Sequence, residues 1–517
     1  MQNKQYKLIR AQYVLPFSEA MKSRVIEDGF VLIESDKIKE VGKYSPEAGK
    51  AFKERYGHNL EIYNPTSDPD NPVAMTTGVV MPSPKYVHTH FHESLLTGKF
   101  KNMNLLDWLD ASINPHTLWM YNIDQGMKTG QWDTPNDEAI AKQLGKSPYE
   151  IVFGKTLHDV LRYGSGFVAV HHCNFTKYDS AVDAVVNLLE KAHARAIVFP
   201  GSQDRYYTPD FLLDTNPNVA VARIRAQMER HNNKKWVKVM PGADQFFSNS
   251  AMLLSALKNE ARRWERETGQ PVYFHVHSSE NAGSTKLVRD MTGLSPIAYA
   301  QEAGILDERT IVAHQVQTTI EDIAMLARNG VKVISNPTAN GSLFSGIAPI
   351  AAMLDAGILV AYSTDGSGSS DHQNIFQVMH VGVNMNRGSE REGAMNITDQ
   401  KALEMILTEP ARIYGLDNAT SLDPGKDASL IVYDISSEEN PAIHPHDAKS
   451  IIGKIVFCDP SSAHITDSMS LGEWLVRDKR VLTLDRDLIM KDAALLNQIY
   501  WEEVYPKLEV HQGTGKK

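Results

Sequence analysis

The sequence predicts an α/β protein, a (β/α)8 TIM-like barrel joined to a small β-sandwich domain built from both chain termini. Three observations predict it. Short β-branched runs alternate with longer helical stretches through the middle of the chain, the rhythm of parallel βα units. Eight such runs occur, the number that a closed barrel requires. Both ends of the chain instead alternate short apolar runs with polar turns, the pattern of half-buried antiparallel strands.

Residues 1–80 carry YKLIRAQYVL and GFVLIESDKIKEVG and read as the N-terminal part of the sandwich. The barrel is assigned to 81–420. Its eight runs are YVHTHFH (86–92), GFVAVHH (166–172), ARAIVF (194–199), WVKVM (236–240), VYFHVH (272–277), TIVAH (310–314), VKVIS (331–335) and ILVAYSTD (358–365). Residues 421–517 return to turn-plus-strand character in SLDPGKDASLIVYD (421–434) and EWLVRDKRVLTL (473–484), completing the sandwich and ending in a tail. The connection from Glu93 to Ser165 is too long for an ordinary βα loop, and part of it is expected to cover the active site.

With 517 residues, 42% of them hydrophobic and 22% charged, the chain can bury a large core. A formal charge of −10 argues against nucleic acid as a partner, because phosphate binding calls for a basic face. The two cysteines, Cys173 and Cys458, are far apart and form neither a disulfide framework nor a metal ribbon. No window approaches the ~20 apolar residues of a membrane span, and the N-terminus lacks a signal-peptide stretch. The expectation is a cytoplasmic protein that acts on a small molecule, with no membrane partner.

Side chains alternate along a strand, so His88, His90 and His92 in VHTHFH would face one side, where two neighbours can chelate one cation. An isolated HxH is weak evidence among 19 histidines. Later runs end on the same chemistry, however: His277 in HVHSSEN, His314 in IVAHQ and Asp365 in AYSTDG. The C-terminal strand ends of a barrel converge on one mouth, so residues distant in sequence can meet around one ion. Imidazoles plus one carboxylate suit Zn²⁺, with Fe²⁺ as the alternative, and leave a position for water.

These residues resemble the amidohydrolase superfamily and, within it, the heterocycle deaminases and triazine or atrazine hydrolases. PKYVHTHFH resembles the proline-led first strand, and counting from Pro84 implies His90 and His92 as ligands, with His88 at a position where the family often has asparagine. HSSEN is similar to the family's fifth-strand motif, which implies His277 as a ligand and Glu280 as proton shuttle. The segment IVAHQVQTTIEDIAMLARNGVKVISNPTANGSLFSGIAPI resembles the sixth and seventh strands and puts His314 beside the reacting water. STDG implies Asp365 as the eighth-strand carboxylate, both ligand and acceptor of the water's proton. LTEPARIYGLD and SLDPGKDASLIVYD resemble the return into the sandwich.

The fourth-strand end, VMPGADQFF (239–247), has no lysine at its tip for a carbamate bridge, so the resemblance favours one metal ion. Guanine deaminases carry an Arg-Phe pair there and a glutamine after the HxH. Gly242-Ala243 and Leu95 stand at those places, which argues against guanine. The implied reaction is hydrolytic deamination of an N-heterocycle or cyclic amidine by a metal-activated water, with Glu280, His314 and Asp365 catalytic. Amide hydrolysis or dechlorination at the same site is the alternative, and a non-catalytic scaffold would lack part of this ligand set. The resemblance also implies a homodimer. His275 rivals His277 for its role, and His171 and His172 are as readily core histidines as pocket residues. Trp108, Trp119 and Trp132 fit packing of the long connection better than stacking on substrate, and Asp371 and His372 could merely solvate a mouth loop.

Overall fold

A computed structural model describes residues 4–18, 20–21, 24–173, 179–205, 208–389, 393–436, 450–458 and 460–508. Among these residues two nine-stranded sheets organise the chain. The first is mixed and draws on both termini. Its N-terminal strands are β1 (Tyr6–Val14), β2 (Ile26–Glu34), β3 (Lys37–Lys43), β4 (Leu60–Ile62) and β5 (Thr76–Pro82). β1 pairs antiparallel with β2 and parallel with β4 and β5.

The second sheet is the barrel. It comprises β6 (Lys85–Thr89), β7 (Phe167–His172), β8 (Ala196–Ser202), β9 (Val237–Val239), β10 (Gly242–Gln245), β11 (Phe274–Ser278), β12 (Thr310–His314), β13 (Lys332–Ser335) and β14 (Val360–Tyr362). The order is β14-β13-β12-β11-β10-β8-β7-β6, with β9 beside β8. Every pairing is parallel. All eight expected runs fall on these strands, which read as buried on both faces because helices cover the outside. The fourth strand is broken in two at Pro241, just past the run, since proline cannot donate to a ladder. The tip of the fourth strand is therefore Gly242–Gln245, beyond the run that ends at Met240.

The two ends of this sheet meet. Ser363 Oγ accepts from His88 N–H at 3.0 Å and donates to His88 C=O at 2.8 Å, and Asp365 N–H donates to the same carbonyl at 3.2 Å. The barrel is thereby closed at the level of its mouth, next to the histidines of the first strand.

The C-terminal strands β15 (Leu430–Tyr433), β16 (Ile465–Ser470), β17 (Glu473–Arg477) and β18 (Arg480–Val481) continue the first sheet, with β15 antiparallel to β5. Residues from both ends of the chain share an apolar cluster on this sheet, where Ile9, Val31 and Ile33 pack with Leu430, Val432 and Met469. At the turn before β17, a Cβ on Gly472 would lie 1.9 Å from Ser35 O, so the two hairpins approach that closely only with glycine there.

The long first connection is largely helical. It contains Leu105–Trp108, a π-helical turn Leu109–Ile113, Asn114–Thr129, Pro135–Leu144 and Pro148–Arg162. From Arg486 the chain leaves the sheet as a helix, Arg486–Ile499, and lies against this connection. Trp501 Nε1 donates to Leu95 O at 3.0 Å and Tyr505 Oη to Ala111 O at 3.3 Å. None of the described helices is long and apolar enough to cross a membrane.

Candidate metal centre

The C-terminal ends of the barrel strands gather titratable side chains at one buried point. The ligand atoms of His88, His90, His171 and His277 lie within 4.8 Å of one another, as do those of His88, His314 and Asp365. Asp365 Oδ1 is 3.2 Å from His90 Nε2 and 3.4 Å from His88 Nε2. Backbone strain accompanies this convergence. Ser279, His314, Gln315 and Asp365 lie at or within three residues past barrel-strand ends with positive φ, between 49° and 76°, a conformation that costs non-glycine residues ~1–3 kcal/mol each. Thr89 Oγ1 and Gln373 Nε2 hold the strained Asp365 through its carbonyl, at 3.0 and 3.2 Å.

Hydrogen-bond polarity fixes where the lone pairs point. His90 Nδ1 is 2.8 Å from His171 O, and His277 Nδ1 is 2.8 Å from Asp244 O. A carbonyl only accepts, so both Nδ1 atoms carry a proton, and in the neutral imidazoles both Nε2 atoms are bare. Those two Nε2 atoms nevertheless face each other at 3.2 Å. Two lone pairs in such a contact repel unless a positive charge lies between them. His88 Nε2 is likewise buried with no hydrogen-bond partner. Three imidazole nitrogens and a carboxylate around one point fit a tetrahedral divalent ion, as in zinc sites.

The electrostatics agree. Burial opposes a charge on His90, but the Asp365 carboxylate outweighs it and raises the imidazole to about 9. Burial likewise resists ionisation of Asp365, yet His88 and His90 hold its carboxyl well below the usual range. Burial keeps His88 neutral. A positive charge is favoured at this point, whether a proton or a cation supplies it.

Around the point lies a small cavity of about 40 Å³, lined by His90, Asp244, Gln245, Glu280, His314 and Asp365 on the barrel side. Leu105, Trp108, Leu109 and Ile113 of the first connection close it from above. Glu280 is buried, accepts from Gln245 Nε2 at 2.7 Å and lies 3.7 Å from His314 Nε2. Burial pushes its carboxyl up to about 7, against the lowering influence of His277. His314 Nδ1 donates to Asn340 Oδ1 at 2.9 Å, which leaves its Nε2 bare toward the cavity.

His90, His92, His277, Glu280, His314 and Asp365 all line this cavity, and in the convergent groups His88 stands beside His90 while His92 does not. The reason is local. β6 ends at Thr89, and His92 belongs to a 3-10 turn, Phe91–Leu96, so the period-2 alternation stops before reaching it. His92 still lines the cavity, but it belongs to none of the convergent groups. His275 lies one layer deeper than His277. His171 braces the site through its carbonyl and donates Nε2 to Ala243 O at 3.0 Å. His172 packs edge-on against Phe153. Trp108 reaches the cavity, whereas Trp119 packs on Tyr500 and Trp132 against Gly126. Asp371 accepts from Gly98 N–H and Lys101 Nζ at 2.8 and 2.7 Å, tying down the mouth loop, and His372 Nδ1 accepts from Asn374 N–H.

Sequence reasoning missed Glu93, Cys173, Asp244 and Gln245, all of which line the cavity. Glu93 accepts from the backbone N–H groups of Gly368 and Ser369 at 3.0 and 3.2 Å. Asp244 and Gln245 lie within the fourth-strand end VMPGADQFF, but nothing in their residue types or spacing singled them out. Lys238, the lysine closest in sequence to the fourth strand's tip, donates Nζ to Asn232 O and Lys234 O at 2.7 Å each.

A parallel barrel with a histidine and carboxylate cluster at its C-terminal mouth, joined to a sheet from both termini, defines a metal-dependent hydrolase. The chain belongs to the amidohydrolase family, whose profile matches residues 79–468. It is 26% identical over 474 residues to the 5-methylthioadenosine/S-adenosylhomocysteine deaminase of Bacillus cereus, covering 92% of this chain and 95% of that one. Its fold is similar to that of the zinc complex of atrazine chlorohydrolase from Arthrobacter aurescens, with a TM-score of 0.75, 19% identity and coverage of 95% and 100%. A zinc-bound adenosine deaminase from Xanthomonas campestris has a TM-score of 0.74 at 19% identity, with coverage of 96% and 98%. The protein is accordingly a hydrolase acting on non-peptide carbon–nitrogen bonds.

Proposed function

We propose that the protein is an aminohydrolase that releases ammonia from an N-heterocyclic small molecule, with His88, His90, His277 and Asp365 holding one divalent metal ion. Zinc is the first choice and iron the second. The reading rests on one observation, the bare Nε2 atoms of His90 and His277 facing each other at 3.2 Å beside the Asp365 carboxylate.

A divalent ion in such a site lowers the pKa of water from about 16 to about 7 and supplies a nucleophile at neutral pH. Asp365 accepts the proton that the water gives up. Glu280, poised near neutrality, delivers its proton to a ring nitrogen next to the attacked carbon, takes up the second proton of the attacking oxygen and hands it to the departing amine, and is reloaded by the proton held on Asp365. His314 presents its bare Nε2 to the attacking oxygen's proton and, held by Asn340, keeps that orientation. The lining is mostly carboxylates and imidazoles under an apolar roof, which suits a planar, polar ring edge.

The named activity of the Bacillus cereus relative makes a 6-aminopurine nucleoside the first substrate to try. The purified protein should contain about one zinc per chain. Ammonia release should be assayed against methylthioadenosine, S-adenosylhomocysteine, adenosine, guanine and chlorinated triazines. Activity in the metal-free protein would overturn the reading, and chloride release without ammonia would favour dechlorination at the same site. A homodimer is proposed with it, to be read by light scattering.

A further inference from the structure

We propose that Tyr414 and His275 form a hydrogen-bonded relay that locks His88 in its Nδ1–H tautomer and so keeps the bare Nε2 aimed at the cation site. The inference rests on the metal-centre reading above and assigns positioning roles to two residues beneath it.

The relay runs through three contacts in the barrel interior. Tyr414 Oη is 3.1 Å from Val87 O and 3.3 Å from His275 Nδ1. His275 Nε2 is 3.1 Å from His88 Nδ1. All four residues are buried, so water cannot exchange into the chain and every link must be satisfied from within.

Only one arrangement of protons satisfies all three links. Val87 C=O has no proton to give, so the single Tyr414 hydroxyl proton goes to it. The Tyr414 oxygen is then an acceptor, and His275 Nδ1 must donate to it. A neutral imidazole has one N–H, so His275 Nε2 is bare and accepts from His88 Nδ1–H. His88 Nε2 is left without a proton, 3.4 Å from Asp365 Oδ1. Reversing the chain would set the Tyr414 oxygen against the Val87 oxygen with no proton between them. It would also put a proton on His88 Nε2, where a metal ligand needs a lone pair.

The relay explains why a histidine sits on β11 two residues below His277, facing the same side. His90 and His277 have their tautomers set by backbone carbonyls, through His171 O and Asp244 O. Among the described residues, the hydrogen-bond partner of His88 Nδ1 is His275 Nε2 and not a carbonyl. Its tautomer is instead set at a distance, by the Val87 carbonyl acting through Tyr414 and His275. Partners of metal-ligating histidines of this kind typically carry a 10–100-fold effect on metal affinity.

The test is the Zn²⁺ affinity of the full-length protein, measured by competition with a chromophoric chelator, together with the visible spectrum of the Co²⁺-loaded form. Tyr414→Phe and His275→Phe should each weaken Zn²⁺ by about 10-fold or more and alter the Co²⁺ bands. The melting temperature of metal-free Tyr414→Phe should stay close to wild type. His275→Gln keeps an acceptor for His88 Nδ1–H and should retain most of the affinity. Wild-type Zn²⁺ affinity in folded Tyr414→Phe overturns the relay, and so does a loss in His275→Gln equal to that in His275→Phe, which would indicate packing alone. Should His275→Phe fail to fold, Tyr414→Phe decides, since it removes one oxygen atom. Asp365→Ala and His277→Ala separate the two levels of inference. If they too bind Zn²⁺ as wild type does, the centre itself is misassigned. If they lose it while Tyr414→Phe does not, only the relay fails.

Discussion

Glu280 is a carboxylate that burial holds at about 7 where 4.5 is ordinary. Its value as a proton carrier and its cost to folding have the same origin. For turnover, Glu280→Gln should keep the metal and lose ~10²–10⁴ in rate, measured as ammonia release beside metal analysis. A near-native rate would remove Glu280 from the chemistry. For stability, folded Glu280 binds its proton more tightly than the unfolded residue does. Its contribution is therefore complete below pH 4.5 and is lost as the pH rises to about 7. Glu280→Gln does not titrate. In chelator-treated protein, the variant's stability relative to wild type should rise by about 3 kcal/mol between pH 4 and 8, read by urea unfolding. A difference that stays flat with pH would mean that the carboxyl is not raised. At this scale the sequence singled out His90, His92, His277, Glu280, His314 and Asp365, all of which line one cavity. It did not show that His88 rather than His92 would join the convergent nitrogens and carboxylate, because strand periodicity says which residues share a face and not where the strand stops.

The element that governs access is the first barrel connection. Its π-helical turn, Leu109–Ile113, lies between the Leu105–Trp108 and Asn114–Thr129 helices and turns Leu109 and Ile113 onto the cavity. A volume of about 40 Å³ holds a few waters and no purine ring, so this segment must move for a ring to bind. Amides of residues 105–113 should exchange faster than those of β6–β14 and slow when a ring inhibitor is bound. The C-terminal helix restrains the same element, because buried Tyr500 packs on His116 and Trp119. Tyr500→Ala should cost about 3 kcal/mol in denaturant unfolding and speed exchange across 105–129. Unchanged exchange would show that the helix does not brace the connection. The length of the connection marked it as a cover in the sequence. Its docking against residues nearly four hundred positions later carried no local signal.

At the scale of the whole molecule, the barrel and the two-terminus sheet are tied together at Asp427. Its carboxylate binds Lys37 Nζ at 2.6 Å and Arg195 Nη1 at 2.9 Å, joining the C-terminal return, the N-terminal hairpin and the barrel. Lys37 is 38% exposed and Arg195 29%, so both can turn to water if the carboxylate goes. Asp427→Ala should therefore cost only ~1–3 kcal/mol and leave turnover unchanged, checked by thermal unfolding beside the ammonia assay. Loss of turnover in the folded variant would mean that the sheet sets the geometry of the mouth. Barrel closure is the more sensitive joint, since Ser363 satisfies both backbone groups of His88.

Periodicity and composition by themselves determined the eight strands, the split sheet, and the set of strand ends that carry imidazoles and carboxylates. Those are properties of short segments, where alternation and β-branching act within a few residues. Tertiary structure alone decided which histidines converge with Asp365, where the fourth strand ends, which protons lie on Nδ1, and what roofs the cavity. Each of these depends on a partner far along the chain, such as His171 O for His90, Asp244 O for His277 and Tyr500 for the first connection. Local pattern cannot record such contacts, because they exist only after the barrel has closed.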